Sequence, residues 1–284
     1  MGIGAWLSSA QQGEHLSRWV RQVRGRPNAP TTRIVTVAGG KGGVGKSNFC
    51  LNFGLALQAR GSRVVLVDCD VGLGSLDVLL GMTPYRHLGH VLNGECALDE
   101  VEVPGPWGIR LVAAHPEAWA ADAERGEAAM WPGLLADLAE RADVILLDAG
   151  AGLGEVVRSV LGVGREAVIV TTPEPTALTD AYATLKTLRR QNSDAWVGLV
   201  VNLVDGAADG NAAFRALASV CRSYLQWSPV YLGAIPRDPA LPRAVRGQRP
   251  LLIDAPQAPA ARAVRALAAT FGRRGDIAEG EARG

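Results

Sequence analysis

Lysine is nearly absent from this chain of 284 residues: three of its 29 basic residues are lysine (Lys41, Lys46 and Lys186), and the other 26 are arginine. A chain that writes arginine almost everywhere has a chemical reason to keep the compact, flexible ammonium where it does. The four cysteines (Cys50, Cys69, Cys96, Cys221) contain no C-x-x-C pair, which argues against a disulfide framework, a zinc site or an iron–sulfur carrier and predicts a reducing cytosol. No apolar run approaches the ~18 residues of a membrane span. Met1 is not followed by a charged and then an apolar region, so no secretion signal is predicted. Charge of one sign is lacking too: the net value of +1 gives no electrostatic footprint for nucleic acid. What remains is a chain 48% hydrophobic and 20% charged, suited to one large α/β domain.

Residues 1–30 stand apart. Leu16, Trp19, Val20 and Val23 fall at helical spacing before the break Arg26-Pro27-Asn28-Ala29-Pro30, which predicts a short amphipathic helix and a linker. From residue 31 to 271, apolar strand-like runs alternate with helical stretches. Strands are predicted at 33–38, 63–68, 109–114, 143–148, 167–172, 196–202 and 230–235, and helices near 46–60, 130–141, 153–163, 177–191, 211–226 and 259–271. Continuous Val/Ile/Leu runs mark strands covered on both faces. The expectation is therefore a three-layer α/β domain, a mostly parallel twisted sheet of about seven strands with helices on both faces, followed by a polar tail over 272–284.

Gly40-Lys41-Gly42-Gly43-Val44-Gly45-Lys46-Ser47 fits G-x-x-x-x-G-K-[ST] and lies between a predicted strand and a predicted helix, the context a phosphate-binding loop requires. Its glycines let successive N–H groups curl around phosphate oxygens, and the helix N-terminus adds its positive end. Lys46 is placed for the β- and γ-phosphates and the Ser47 hydroxyl for Mg²⁺. Lys41 cannot easily fold onto phosphates already held by Lys46; it is better placed to reach a nucleotide on another subunit. Asp68 and Asp70 end the second strand, where metal and attacking water belong. One carboxylate there anchors the metal shell or the local backbone while the other orients water; Asp70 and Asp77 could instead cap the short helix that follows. Val144-Ile145-Leu146-Leu147-Asp148 is an apolar strand ending in an aspartate suited to a Mg²⁺-bound water, and Ala149-Gly150-Ala151-Gly152 follows as a flexible segment. Asn202-Leu203-Val204-Asp205 half-matches the guanine-reading N-K-x-D, but Leu203 replaces the lysine that lies on the base.

The doubled lysine of the loop resembles the deviant Walker A ATPases of the MinD and ParA families. The segments 46–61, 68–81, 146–154, 171–186, 200–206 and 232–252 are similar to one subgroup, the FlhG/FleN regulators of flagellar number and placement. The resemblance implies ATP and Mg²⁺ as cofactors, Lys41 acting across an ATP-sandwich homodimer, Asp70 positioning water, Asp68 and Asp148 at the metal, and Asn202 with the backbone near Pro236 reading adenine. It also implies an FlhF-like GTPase and flagellar basal-body proteins as partners, stimulated or contacted through an N-terminal element in which Gln12 and Leu16 match the family pattern. Gln11, Gly13 and Ser17 replace the family's Asp, Ala and Arg. Such proteins are cytoplasmic and dock peripherally on the inner face of the cell membrane through a C-terminal amphipathic helix. Here helix 259–271 offers only Val264, Leu267 and Phe271, which reads better as the last core helix.

Two alternatives stay open: a ParA-like segregation ATPase that binds DNA, and a MinD-type division-site regulator. The first lacks a basic balance, and the second would end in a clear membrane helix. Outside the loop, Lys186 shares a predicted helix face with Tyr182 and Arg189, which suggests a partner contact, a solvated lysine being the plainer alternative.

Overall fold

The computed structural model describes residues 32–70, 74–92, 95–114 and 127–281. Gln12 and the rest of the expected N-terminal helix lie outside the described residues. The strands are β1 (Arg33–Ala38), β2 (Val64–Cys69), β3 (Glu102–Pro104), β4 (Arg110–Val112), β5 (Val144–Ala149), β6 (Glu166–Thr171), β7 (Trp196–Val204) and β8 (Val230–Pro236). The helices are α1 (Lys46–Gln58), α2 (Leu76–Leu80), α3 (Leu88–Leu92), α4 (Glu127–Ala139), α5 (Glu155–Val163), α6 (Pro175–Gln191), α7 (Ala207–Leu225), α8 (Ala240–Arg246), α9 (Leu251–Asp254) and α10 (Pro259–Glu281).

The sheet runs β3-β4-β2-β5-β1-β6-β7-β8, with all pairs parallel except β3–β4. The apolar strand runs supply both cores at once, because successive side chains point to opposite faces. Ile145 and Leu147 of β5 join Val65, Val67 and Ile169 under α4, α5, α6 and α7, where Trp131, Leu135, Val160, Leu185 and Leu217 complete the layer. Val144 and Leu146 face the other way with Val35, Val37, Leu66 and Val168, beneath Phe49, Phe53, Val264, Leu267 and Phe271 of α1 and α10. Val264, Leu267 and Phe271, the large apolar residues of the last helix up to Phe271, are thus core residues.

The sheet and the last helix each depart from expectation. The sheet has an eighth strand, β3, too short at three residues to show an alternation. It is held at the edge by ion pairs from Arg110 and Arg141 to the buried Glu102 carboxylate, the Arg141 contact being 2.9 Å. The last helix continues to Glu281, past the expected end at 271. Gly272 and Gly275 read as stop signals, but Arg, Ala and Glu around them are good helix formers and no proline intervenes.

The start of β1 is fastened to distant parts of the chain. The Arg33 guanidinium donates to both Glu166 carboxylate oxygens (2.9 and 2.8 Å), donates to the Phe271 carbonyl (3.1 Å) and lies 3.7 Å over the Phe271 ring.

Candidate functional site

Every segment singled out for chemistry leaves the sheet at the C-terminal end of a parallel strand, where ligands bind in open α/β sheets. The Gly40–Ser47 loop follows the central β1, Asp68 and Asp70 end β2, Asp148 and Gly150 end β5, Asn202 lies near the end of β7, and Pro236 ends β8. Asp68 and Asp148 are direct Cα partners in the β2–β5 register, so two carboxylates stand side by side beneath the loop.

The loop itself is fixed by close packing. Gly40 lies so near α6 that a Cβ there would overlap the Asp180 backbone. Gly45 caps α1 at φ 89°, and a Cβ on it would strike the Asn202 amide. That amide donates to the Val44 carbonyl at 2.8 Å, so the residue expected to read adenine also clamps the phosphate loop. The next residue, Leu203, takes φ 58° at a register shift between β7 and β8, a left-handed conformation that costs a non-glycine residue about 1–3 kcal/mol.

Lys46 is 7% exposed. Burial lowers its pKa, opposed by the negative charges of Asp148 and Asp70. Asp68 is spoken for by backbone: its Oδ1 accepts the Asp70 N–H at 3.0 Å, and its Oδ2 accepts those of Ser75 and Leu76 at 2.8 and 3.1 Å. Burial pushes its carboxyl up to about 6 against those hydrogen bonds. Of the two tasks the sequence left open for Asp68, the geometry displays the loop-anchoring one. Asp70 sits where the second-strand loop meets the segment after β5: a Cβ on Gly150 would stand 3.2 Å from its carboxyl.

Asp148 differs. It is buried, and neither carboxylate oxygen makes a hydrogen bond among the described residues. Burial drives its pKa up to about 8, the Asp68 charge adds to the rise, and the Ser47 hydroxyl and Lys46 ammonium pull it back. An orphaned pair of hard oxygens beside a serine hydroxyl at the root of a phosphate loop fits Mg²⁺, held through Ser47 and Asp148.

A pH dependence follows. A folded-state pKa above the unfolded carboxylate value adds stability that is full below about pH 4 and is lost as pH rises through about 8. Between pH 7 and 9, above most of the Asp68 titration, the nucleotide-free protein should lose roughly 2–4 °C of melting temperature. Asp148→Asn, which cannot ionise, should flatten that loss, and added Mg²⁺ should no longer raise its melting point. Melting curves of both proteins with and without metal check this; a parent-like slope in the variant would remove Asp148 as its source.

Some residues were not foreseen. The Lys41 ammonium donates to Thr176 Oγ1 at 3.0 Å. The buried Asp238 accepts the N–H groups of Ala240 (2.9 Å) and Ala260 (3.0 Å), tying α8 and α10 to the loop after β8. Proline at 175 and threonine at 176 were visible signals of a helix start, but only as local structure. On α6, Tyr182 packs against the core and Arg189 lies 4.8 Å over the Trp227 ring, so two members of the face shared with Lys186 serve the fold while Lys186 is exposed.

A parallel sheet with a phosphate loop after its central strand, a buried lysine, and aspartates from two neighbouring strands defines a P-loop nucleotide hydrolase. The sequence profile of the CobQ/CobB/MinD/ParA nucleotide binding domain matches residues 35–251, and the chain belongs to that family of ATPases. It is 36% identical over 243 residues to the antiactivator FleN of Pseudomonas aeruginosa, covering 83% of this chain and 85% of that one. To the flagellum site-determining protein YlxH of Helicobacter pylori it is 34% identical over 239 residues, 81% of this chain and 78% of the relative. Its fold superposes on the septum site-determining protein MinD of Pyrococcus horikoshii, solved with Mg-ADP, with a TM-score of 0.74 and 25% identity over 87% of this chain and 98% of that one.

Proposed function

We propose that this protein is an ATP-driven dimerising switch that regulates the number or placement of flagella. The observation that carries the chemistry is the convergence, at the C-terminal ends of the central strands, of a phosphate loop, the buried Lys46 and the unsatisfied Asp148. Similarity to FleN and YlxH over more than four-fifths of the chain supports the flagellar setting.

ATP with Mg²⁺ is the bound species. Lys46 and the loop N–H groups hold its phosphates, and Ser47 and Asp148 hold the metal, which neutralises phosphate charge when bound. Asp70 orients the attacking water and takes its proton, and the segment from Gly150 to Gly152 offers backbone N–H groups to the terminal phosphate. Asn202 and the backbone at Pro236 flank the adenine. Lys41, exposed at the outer rim, reaches the nucleotide of a second copy, so that bound ATP is the signal for a dimer. Gln12 stimulates a partner GTPase of the signal-recognition type. No described helix is long and apolar enough to cross a membrane, and the large apolar side chains of α10 up to Phe271 are buried, so a peripheral membrane contact would need other residues.

The test is genetic and biochemical together. Deleting the gene in a flagellated host should change the number or position of flagella, and the wild-type gene should restore both. In the purified system, Gln12→Ala should bind and hydrolyse ATP normally but lose most of the stimulation of the partner GTPase. A deletion strain with normal flagella, whose purified protein binds DNA when ATP is added, would point instead to segregation.

A further inference from the structure

Lys41 is exposed, yet its ammonium is held, and by a residue 135 positions away. Both ends of that hydrogen bond belong to one packed unit. Gly40 touches the backbone of Asp180 so closely that no side chain fits between them. Thr176 stands one turn earlier on the same helix, α6. The root of Lys41 and its acceptor are therefore at a fixed separation. On the other side the loop borders open space: nothing lies within 4 Å of where a Cβ on Gly42 or Gly43 would be.

The chemistry of the contact makes it releasable. Thr176 lies in the first turn of α6, where the helix presents its positive end, the wrong end for a cation. The acceptor is a neutral hydroxyl, which binds an ammonium less tightly than a carboxylate does. Glu174, exposed two residues earlier, adds a carboxylate to this end of the helix; its carboxyl is lowered first by the Thr172 hydroxyl, with Arg237 and Lys41 as the smallest causes. An ammonium so placed stays put until a stronger anion is offered, and a triphosphate on a second copy is one.

We propose that Thr176 is a positioning residue for Lys41: its hydroxyl parks the ammonium within its own chain and must release it before Lys41 can cross to a partner. This rests on the trans reading of Lys41 given above. In a symmetric dimer both copies must open the contact, so its effect on association counts twice. The contact sets how much ATP is needed to dimerise.

Thr176→Val keeps the shape and removes the acceptor. Its ATP-dependent dimer should form with a dissociation constant lower by roughly three- to tenfold, measured by sedimentation or light scattering on the full chain. Thr176→Ser should behave as the parent. In a Lys41→Ala background, adding Thr176→Val should change nothing, which a merely structural threonine would not reproduce. A dissociation constant in Thr176→Val that is unchanged or raised, with Lys41→Ala weakened, overturns the parking role alone. Normal dimerisation of Lys41→Ala overturns the trans reading and the inference with it.

Discussion

Asp70→Ala should bind ATP within about threefold of the parent and turn it over at least about a hundredfold more slowly, the usual loss when a group that handles the reacting proton is removed. The two functions are separable because they use different parts of the site. Phosphate binding belongs to the loop after β1 and to Lys46, whereas Asp70 stands after β2, with its carboxyl against Gly150 and its N–H accepted by Asp68. The loss of its carboxyl leaves the Asp68 anchor intact, since among the described residues Asp68 receives backbone groups only. With hydrolysis stopped, the ATP-bound dimer should persist for hours in light scattering where the parent decays. Asp70→Asn, similar in size but unable to take a proton, should be equally slow. Loss of binding together with turnover would make Asp70 a structural residue of the loop.

Lys46→Met should lower ATP affinity by at least about a hundredfold while leaving the fold intact. Methionine preserves most of the stem volume in a position that is 7% exposed, so packing survives. Removing a buried charge near an opposite one is ordinarily destabilising because it strands the other charge. Here Asp148 is raised to about 8 by burial and by Asp68, so near neutral pH it holds a proton and strands little. Isothermal titration of ATP and a melting curve of the nucleotide-free variant separate the two effects. A melting point more than about 10 °C below the parent would show that the Lys46 charge is needed by the fold itself.

The phosphate loop, the two aspartate-ended strands and the two-sided sheet could be read from residues 33–47, 63–70 and 143–152, because each is a local pattern with a fixed spacing. What could not be read has a common cause. β3 is three residues held by Arg110 and Arg141, one of them on another element. The adenine role of Asn202 is implied by the family resemblance alone, and its hold on the Val44 carbonyl spans 158 residues. The partnership of Lys41 with Thr176 is likewise set by how α6 packs on Gly40, and no periodicity reports that. The short helices α3, α8 and α9 are not legible in the sequence, because elements this short show too little of the helical repeat to be told from loop.

Arg33 and Phe271 bear on biosynthesis. Phe271 is fully buried, its ring 5.3 Å from Phe53 of α1 and 5.9 Å from Trp196, and its carbonyl and ring both receive Arg33. The hydrophobic back of the helix that opens with Lys46 is therefore sealed by a segment translated long after it. During synthesis on the ribosome, the strands can begin to pair early, but α1 keeps an uncovered apolar flank until residue 271 has emerged. A nascent chain thus carries the complete phosphate-loop sequence before the residues that support it from behind.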